Sequence, residues 1–186
     1  MFATLKTKRL ILQPLELADA EQVQEIFPDW EIVKFLNSRI PWPFPEDGAH
    51  RYYRDDAIPA MERSDEWHWT LRLKDEPARI VGAIGLFRNN GQNNRGFWLV
   101  PRLHGKGIMT EVVIAVTDYW FHVLGFPTLY AHKAVANVAS RRISERMGMR
   151  VIETRESDYV SGTHLTEVWE ITADEWREWR SVHPEV

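Results

Sequence analysis

The sequence predicts one α/β domain over residues 1–186, a mixed α+β arrangement with a mostly antiparallel sheet and helices on both of its faces. Three observations carry that prediction. Segments of strand period and helix period alternate along the whole chain, with no linker, repeat or low-complexity tract between them. Two polar turns, Lys74-Asp75-Glu76-Pro77 and Asn89 to Asn94, join apolar strand patterns in the middle of the chain, which makes those neighbours antiparallel. A helix apolar nearly all round, from Gly107 to Leu124, then lies between two strands and is long enough for a parallel crossover. Its polar stripe is only Glu111, Asp118 and His122, so it is buried between layers.

The elements follow in order. Arg9 to Gln13 reads as a first strand, stopped by Pro14. Asp19-Ala20-Glu21-Gln22 is a capping-box pattern opening a helix whose apolar side is Val23, Ile26 and Phe27. A short second helix holds Ile32, Val33, Phe35 and Leu36. Ile40-Pro41-Trp42-Pro43-Phe44-Pro45 is a stiff loop, because proline forbids regular pairing. It is either a plug over the core or one wall of a ligand pocket. A helix runs from about Glu46 and fades near Pro59. Strands follow at 67–73, 80–87 and 96–100, the second apolar on both faces and therefore central. After the buried helix, Thr128 to His132 is a strand, Asn137 caps a helix to Met147, and Gly148 ends it. Strands near 149–155 and 164–171 meet around Ser161-Gly162, and a second capping box, Thr172 to Glu175, opens a last helix carrying Trp176 and Trp179.

Composition narrows the function. At 186 residues, 44% hydrophobic and 27% charged, with net charge -4, the chain is neither disordered nor a carrier of the basic field that nucleic acid requires. The absence of cysteine excludes disulfides, thiolate metal sites and a cysteine nucleophile. The seven histidines show no H-x-x-x-H or similar spacing, so no metal site is expected. Met1 to Lys6 has no signal-peptide apolar run, and no stretch has the length of a membrane span. The expected location is the cytoplasm, with neither nucleic acid nor membrane as partner.

The most informative segment is Val100-Pro101-Arg102-Leu103-His104-Gly105-Lys106-Gly107-Ile108-Met109-Thr110, which joins a buried strand to the buried helix. Gly105 and Gly107 free the backbone to turn sharply, and the N–H groups of a helix N-terminus form an anion site for a phosphate or pyrophosphate. Arg102 and Lys106 add positive charge. The same pattern also serves as a plain strand-to-helix turn. It is neither a dinucleotide fingerprint, for lack of a third glycine, nor a P-loop, for lack of Ser or Thr after the GK pair.

Arg102-x-x-Gly105-x-Gly107, followed by Asn137-x-x-Ser140 and Glu145-Arg146-Met147-Gly148-Met149, resembles the GNAT N-acetyltransferases over roughly residues 5–172. The start Thr7-Lys8-Arg9-Leu10-Ile11-Leu12 and the Trp42-Pro43-Phe44 loop are similar to the branch containing the ribosomal-protein N-terminal acetyltransferases. The resemblance implies a GNAT fold, with the strand ending Trp98-Leu99-Val100 splayed from the 128–133 strand. It implies acetyl-CoA as acyl donor, held by Leu99, Val100, Arg102, Gly105, Lys106, Gly107, Ile108, Met109, Thr110, Asn137 and Ser140, with no metal. Asn137 bonds the pantetheine arm or is simply a helix cap, or does both. Ser140 acts as acid towards the leaving thiolate, or is an ordinary first-turn serine.

The implied reaction is direct attack of a neutral primary amine on the thioester. The Leu99 N–H or a neighbour is placed to stabilise the oxyanion. Asp158 is the carboxylate best matched to a base, with Glu156 as the near alternative; Asn94-Arg95 stands where many relatives carry an acid. His68, His132 and His164 are further candidates for a base but are more simply structural. Trp42, Phe44 and Trp69 are candidates to line an acceptor pocket, whereas Trp98, Trp120, Trp169, Trp176 and Trp179 read as core. The acceptor is a protein N-terminus or a small-molecule amine, and the resemblance leaves room for a homodimer. A non-catalytic acyl-CoA-binding or sensor protein on the same fold is the alternative, separated by turnover alone. A structural interaction domain would need neither the glycine turn nor Asn137.

Overall fold

The computed structural model describes residues 3–88 and 93–184. Five antiparallel strands form one sheet in the order β1 (Leu5–Lys6), β2 (Leu10–Pro14), β3 (Glu66–Leu73), β4 (Glu76–Phe87) and β5 (Arg95–Leu99). Three more form a second antiparallel sheet, in which β8 (Gly162–Thr172) lies between β6 (Thr128–Ala134) and β7 (Arg150–Tyr159). Side chains alternate across each strand, so Leu10, Leu12, Trp67, Trp69, Leu71, Ile84 and Leu86 share one face. That face packs into one core with α5 (Ile108–Asp118), and the same core takes in Trp176 of α7 (Ala173–Val182), which bonds Asp118, and Met147 at the end of α6 (Val138–Arg146). The opposite face carries a second apolar cluster under α1 (Ala20–Ile26), α2 (Trp30–Val33), α3 (Gly48–Tyr52) and α4 (Ile58–Glu62).

Two backbone features shape the middle of the first sheet. The β3/β4 register shifts by one residue, from Leu71↔Gly82 to Arg72↔Ile80, which leaves Val81 as a bulged extra residue. Gly82 then passes so close under β5 that a Cβ there would lie 2.4 Å from the Trp98 carbonyl oxygen. Only glycine allows that approach.

Several element ends differ from the sequence expectation for physical reasons. Asp19 does not open α1 as the first member of a capping box. A 3-10 turn, Leu17–Asp19, comes first, the box joins Glu16 to Asp19, and Asp19 is the carboxylate that meets buried Arg72 at 2.7 Å. The helix expected to fade near Pro59 continues to Glu62. Residues Tyr53–Ala57 widen to π geometry just ahead of Pro59, which has no N–H to give to the ladder. The buried central helix likewise widens after Asp118, where the Leu124 N–H reaches back to the Tyr119 carbonyl at 3.0 Å. The Asn137 cap and the Thr172–Glu175 capping box form as read. Of the Asn89–Asn94 turn, residues 89–92 lie outside the described residues. Among the described residues no helix is long and apolar enough to cross a membrane.

Candidate active site

The two sheets meet at β5 and β6 without forming a ladder. Hydrogen-bond parity shows which main-chain groups line that seam. The Val100 N–H donates to the Val81 carbonyl at 2.9 Å, and Gly82 faces Leu99 in register. Bonded and non-bonded pairs alternate in an antiparallel ladder, so Phe97 and Leu99 turn their N–H and C=O groups away from β4, into the seam. On β6, the Val135 N–H donates to the Leu165 carbonyl and the Ala173 N–H to the Pro127 carbonyl. His132 and Ala134 therefore turn their main chain away from β8, towards the same seam. Near the start of β5 the strands touch: the Asn94 N–H donates to the Tyr130 carbonyl at 2.8 Å and the His132 N–H to Asn93 Oδ1 at 3.2 Å. From there they diverge. The Leu99 carbonyl accepts from His104 Nε2 at 2.8 Å, which sets that tautomer. The Leu99 N–H has no acceptor among the described residues.

Beyond Leu99 the chain makes a 3-10 turn, Pro101–Leu103, and enters α5 through Gly105 (φ +73°) and Gly107 (φ +71°). A Cβ at Gly105 would meet nothing within 4 Å, so its glycine is required by conformation, not by space. No side chain caps this helix end, so the N–H groups of Ile108, Met109 and Thr110 are left for a ligand. Lys106 is exposed. Arg102 is exposed too and leans towards Glu76 at 3.9 Å. The sequence assigned the positive charge to these two, but a third cation comes to the turn from the N-terminal end of the chain. Arg9 donates through Nη1 to the Lys106 carbonyl at 2.9 Å and through Nε to Glu111 at 2.7 Å. Its own N–H bonds the same carboxylate at 2.7 Å, and Thr7 Oγ1 completes the cluster. Burial pushes the Glu111 carboxyl up, but the bonds from Thr7 and Arg9 and the Arg9 charge outweigh it and hold the group below the usual carboxylate range.

At the opposite wall, Asn137 caps α6, its Oδ1 accepting from the Ser140 N–H at 3.2 Å. Its Nδ2 has no acceptor among the described residues. Ser140 is buried, and its Oγ takes no partner from the described residues.

On the sheet face away from α5, Phe44 packs edge-on against Phe27, which in turn packs against Trp98, while Trp42 lies beside Trp30 and is 42% exposed. Of the three aromatic candidates, Trp42 and Phe44 share this side. Trp69 does not. Strand parity carries it to the α5 face, where it is fully buried against Tyr119 and donates to the Ala3 carbonyl at 3.0 Å, so its assignment to an acceptor wall is corrected. Asp158 is not brought to the seam. It is exposed near the tip of the β7/β8 hairpin, accepts from Thr163 Oγ1 at 2.6 Å, and belongs to the strand farthest from β5. Glu156 is exposed on the same strand.

Two cations are buried, one at the start of β5 and one near the end of β6. Arg95 is buried, donating to Thr117 Oγ1 at 3.0 Å and to Met149 Sδ at 3.6 Å, with its pKa pulled down to about 9 by burial. Lys133 crosses the seam to lie over the Phe97 ring at 4.6 Å. Burial first, and then the Arg95 charge, push its pKa well below the ordinary lysine value.

A family model described as an acetyltransferase (GNAT) domain matches residues 9–150. The chain belongs to the GNAT acetyltransferase family. GNAT members of this kind are acetyl-CoA-dependent N-acetyltransferases, which move an acetyl group to an amine. Among curated proteins, the Bacillus subtilis protein named "Probable N-acetyltransferase YjcK" is 28% identical over 173 residues, covering 89% of this chain and 92% of its own. Among solved structures, the ribosomal-protein-S5-alanine acetyltransferase of Vibrio fischeri superposes with a TM-score of 0.79 at 15% identity, over 94% of this chain and 99% of that one. The spermidine N-acetyltransferase of Vibrio cholerae, solved with CoA and spermine, gives 0.74 at 17% identity, over 90% of this chain and 98% of that one. At these identities the structural likeness is one of fold, the GNAT fold with its splayed pair.

The sequence reading gave Arg9, Glu111, His104 and Asn94 no role in this site. His104 alone was findable, as a histidine inside the glycine turn, one residue before its first left-handed glycine.

Proposed function

We propose that the seam between β5 and β6 is where this chain binds acetyl-CoA and acetylates a primary amine, with the N-terminal amine of a protein as acceptor. The observation that carries the reading is convergence. On one side of the seam β5 ends on a Leu99 N–H with no acceptor among the described residues and the chain enters an uncapped α5 through two left-handed glycines, and on the other β6 runs directly into the α6 start that carries Asn137 and Ser140. Ile108, Met109 and Thr110 bind the pyrophosphate through their amides, and Asn137 Nδ2 bonds an amide carbonyl of the pantetheine arm. Bound acetyl-CoA supplies the thioester carbonyl. The Leu99 N–H donates to its oxygen as charge builds there, from a fixed position that costs no reorganisation. Ser140 Oγ–H donates to the sulfur as the thiolate leaves.

The amine enters from the face of Trp42, Phe44 and Trp98, opposite α5. It must arrive neutral, so the free-amine fraction of the acceptor sets the rate, and the proton that its nitrogen sheds on forming the amide replaces the one Ser140 gives to the thiolate. The protein N-terminus is favoured over a polyamine by the Trp42-Pro43-Phe44 loop and by the likeness to the ribosomal-protein acetyltransferase. An α-amino group, with a pKa near about 8, is also substantially neutral at physiological pH where a polyamine is not.

The test is thermal unfolding with and without acetyl-CoA, followed by release of free CoA over a panel of acceptors. At a hundredfold excess over Kd, binding stabilises by about 2.7 kcal/mol. That raises Tm by roughly 5–10 °C for a domain of this size. Turnover of peptides beginning with Ser or Ala, and not of spermidine, is the expected result. Stabilisation without turnover of any amine would favour the binding or sensor reading. No stabilisation would remove the donor assignment.

A further inference from the structure

We infer that Arg9 is a coenzyme-binding and positioning residue, which offsets the Glu111 carboxylate and presents its remaining guanidinium N–H groups to the pyrophosphate from the N-terminal hairpin. The inference rests on the acetyl-CoA reading of the glycine turn. A pyrophosphate at the start of α5 needs outward-facing amides and a cation close by. It is opposed by Glu111, a carboxylate in the same first helical turn. Arg9 meets both requirements at once. Its Nε and its own N–H, each 2.7 Å from the carboxylate, neutralise Glu111. Its Nη1 grips the Lys106 carbonyl at 2.9 Å, between the two left-handed glycines, which turns the carbonyl inward and leaves the neighbouring amides facing out.

The rest of the guanidinium is free to act. Nη2 lies against Gly107, 3.6 Å from where a Cβ would stand, and the side chain is 42% exposed. The mount is rigid. The β1/β2 turn is closed by Thr7 N–H to the Leu10 carbonyl at 3.0 Å, and Thr7 Oγ1 accepts the Leu10 N–H at 3.1 Å while donating to Glu111. Arg102, in contrast, is half-exposed and directed at Glu76. A guanidinium held by several bonds loses less freedom on binding an anion than an exposed, mobile one.

The experiment compares Arg9→Gln and Arg9→Lys with the wild type on three donors: acetyl-CoA, acetyl-dephospho-CoA and acetyl-pantetheine, the last lacking the pyrophosphate. Arg9→Gln is expected to raise KM for the first two by roughly tenfold or more and to leave kcat/KM for acetyl-pantetheine within about twofold. Arg9→Lys, which keeps the charge without the fork, recovers part of the loss. Should Arg9→Gln not fold, Arg9→Lys is read on the same donors, and its loss must be confined to those bearing pyrophosphate. An equal loss on acetyl-pantetheine would make Arg9 a purely structural residue and overturn the inference. Unchanged KM for acetyl-CoA would overturn it too, leaving the donor reading intact. Failure of the wild type to bind acetyl-CoA would overturn both.

Discussion

Asn94 and Tyr130 join the two sheets at the point from which they diverge. The Asn94 N–H donates to the Tyr130 carbonyl at 2.8 Å, and Asn94 Oδ1 accepts the Tyr130 N–H at 2.9 Å. Because its main-chain N–H has turned towards β6, Asn94 Nδ2 gives the Phe87 carbonyl the bond that the β4/β5 ladder would have supplied, at 2.8 Å. One side chain thus satisfies both neighbours while β5 leaves the edge of one sheet to touch the next.

Replacing Asn94 with Leu therefore leaves the Tyr130 N–H and the Phe87 carbonyl without their partners in a buried place. Urea unfolding is expected to show a loss of about 2 kcal/mol or more. The KM for acetyl-CoA should rise with it, since the angle of the seam depends on this hinge. A stable variant with unaltered KM would show that β5 is held by its ladder to β4 alone.

Ser140→Ala should lower kcat by about a hundredfold with little change in KM for acetyl-CoA, the pattern of a group that acts on the departing thiolate. Asp158→Asn should keep the wild-type pH–rate profile, because Asp158 lies on the outer strand β7, bonded to Thr163. Steady-state kinetics across pH 6–9 (roughly the range over which an α-amino group titrates) checks both. A changed profile in Asp158→Asn would place that carboxylate in the proton path.

The Glu111 cluster makes stability depend on pH in a definite direction. A carboxyl held below its ordinary range in the folded state stabilises above its unfolded pKa, about 4.3 for Glu, and loses that contribution as the pH falls through the folded value. The difference in Tm between wild type and Glu111→Gln should be steady near neutrality and close on acidification below about pH 4. A difference that widened on acidification would contradict the cluster's assigned charge state.

Lys133 runs the opposite way. Burial lowers its pKa, so the unfolded chain holds a proton that the folded state disfavours up to the ordinary lysine value, and stability rises with pH over that interval. Lys133→Met keeps the length over Phe97 and removes this cost. It should stabilise by about 1 kcal/mol or more at pH 7, with the gain shrinking towards about pH 10. Thermal melts at the two pH values decide it. Destabilisation at pH 7 would mean that the ammonium contributes more over the Phe97 ring than its burial costs.

What the sequence determined by itself is everything that depends on near neighbours along the chain. Period-2 and period-3.6 patterning placed the strands and the buried central helix. The left-handed turn at Gly105 and Gly107, the Asn137 cap and the Thr172–Glu175 box followed from residues within a few positions of one another. The tertiary structure alone decided which face each strand residue takes and which distant groups meet. The extra residue at Val81 resets the parity of β4, and a one-residue change of register exchanges the faces of a strand. The pairing of distant segments is why Trp69, on β3, lies on the α5 face while Trp42, in the proline loop, lies on the other, and why Lys133 is buried across a seam. It is also why the cation at the glycine turn is Arg9, whose bonds to Glu111 span 102 residues of chain. Such contacts are set by the summed register and twist of all the strands between, and no local pattern in the sequence encodes them.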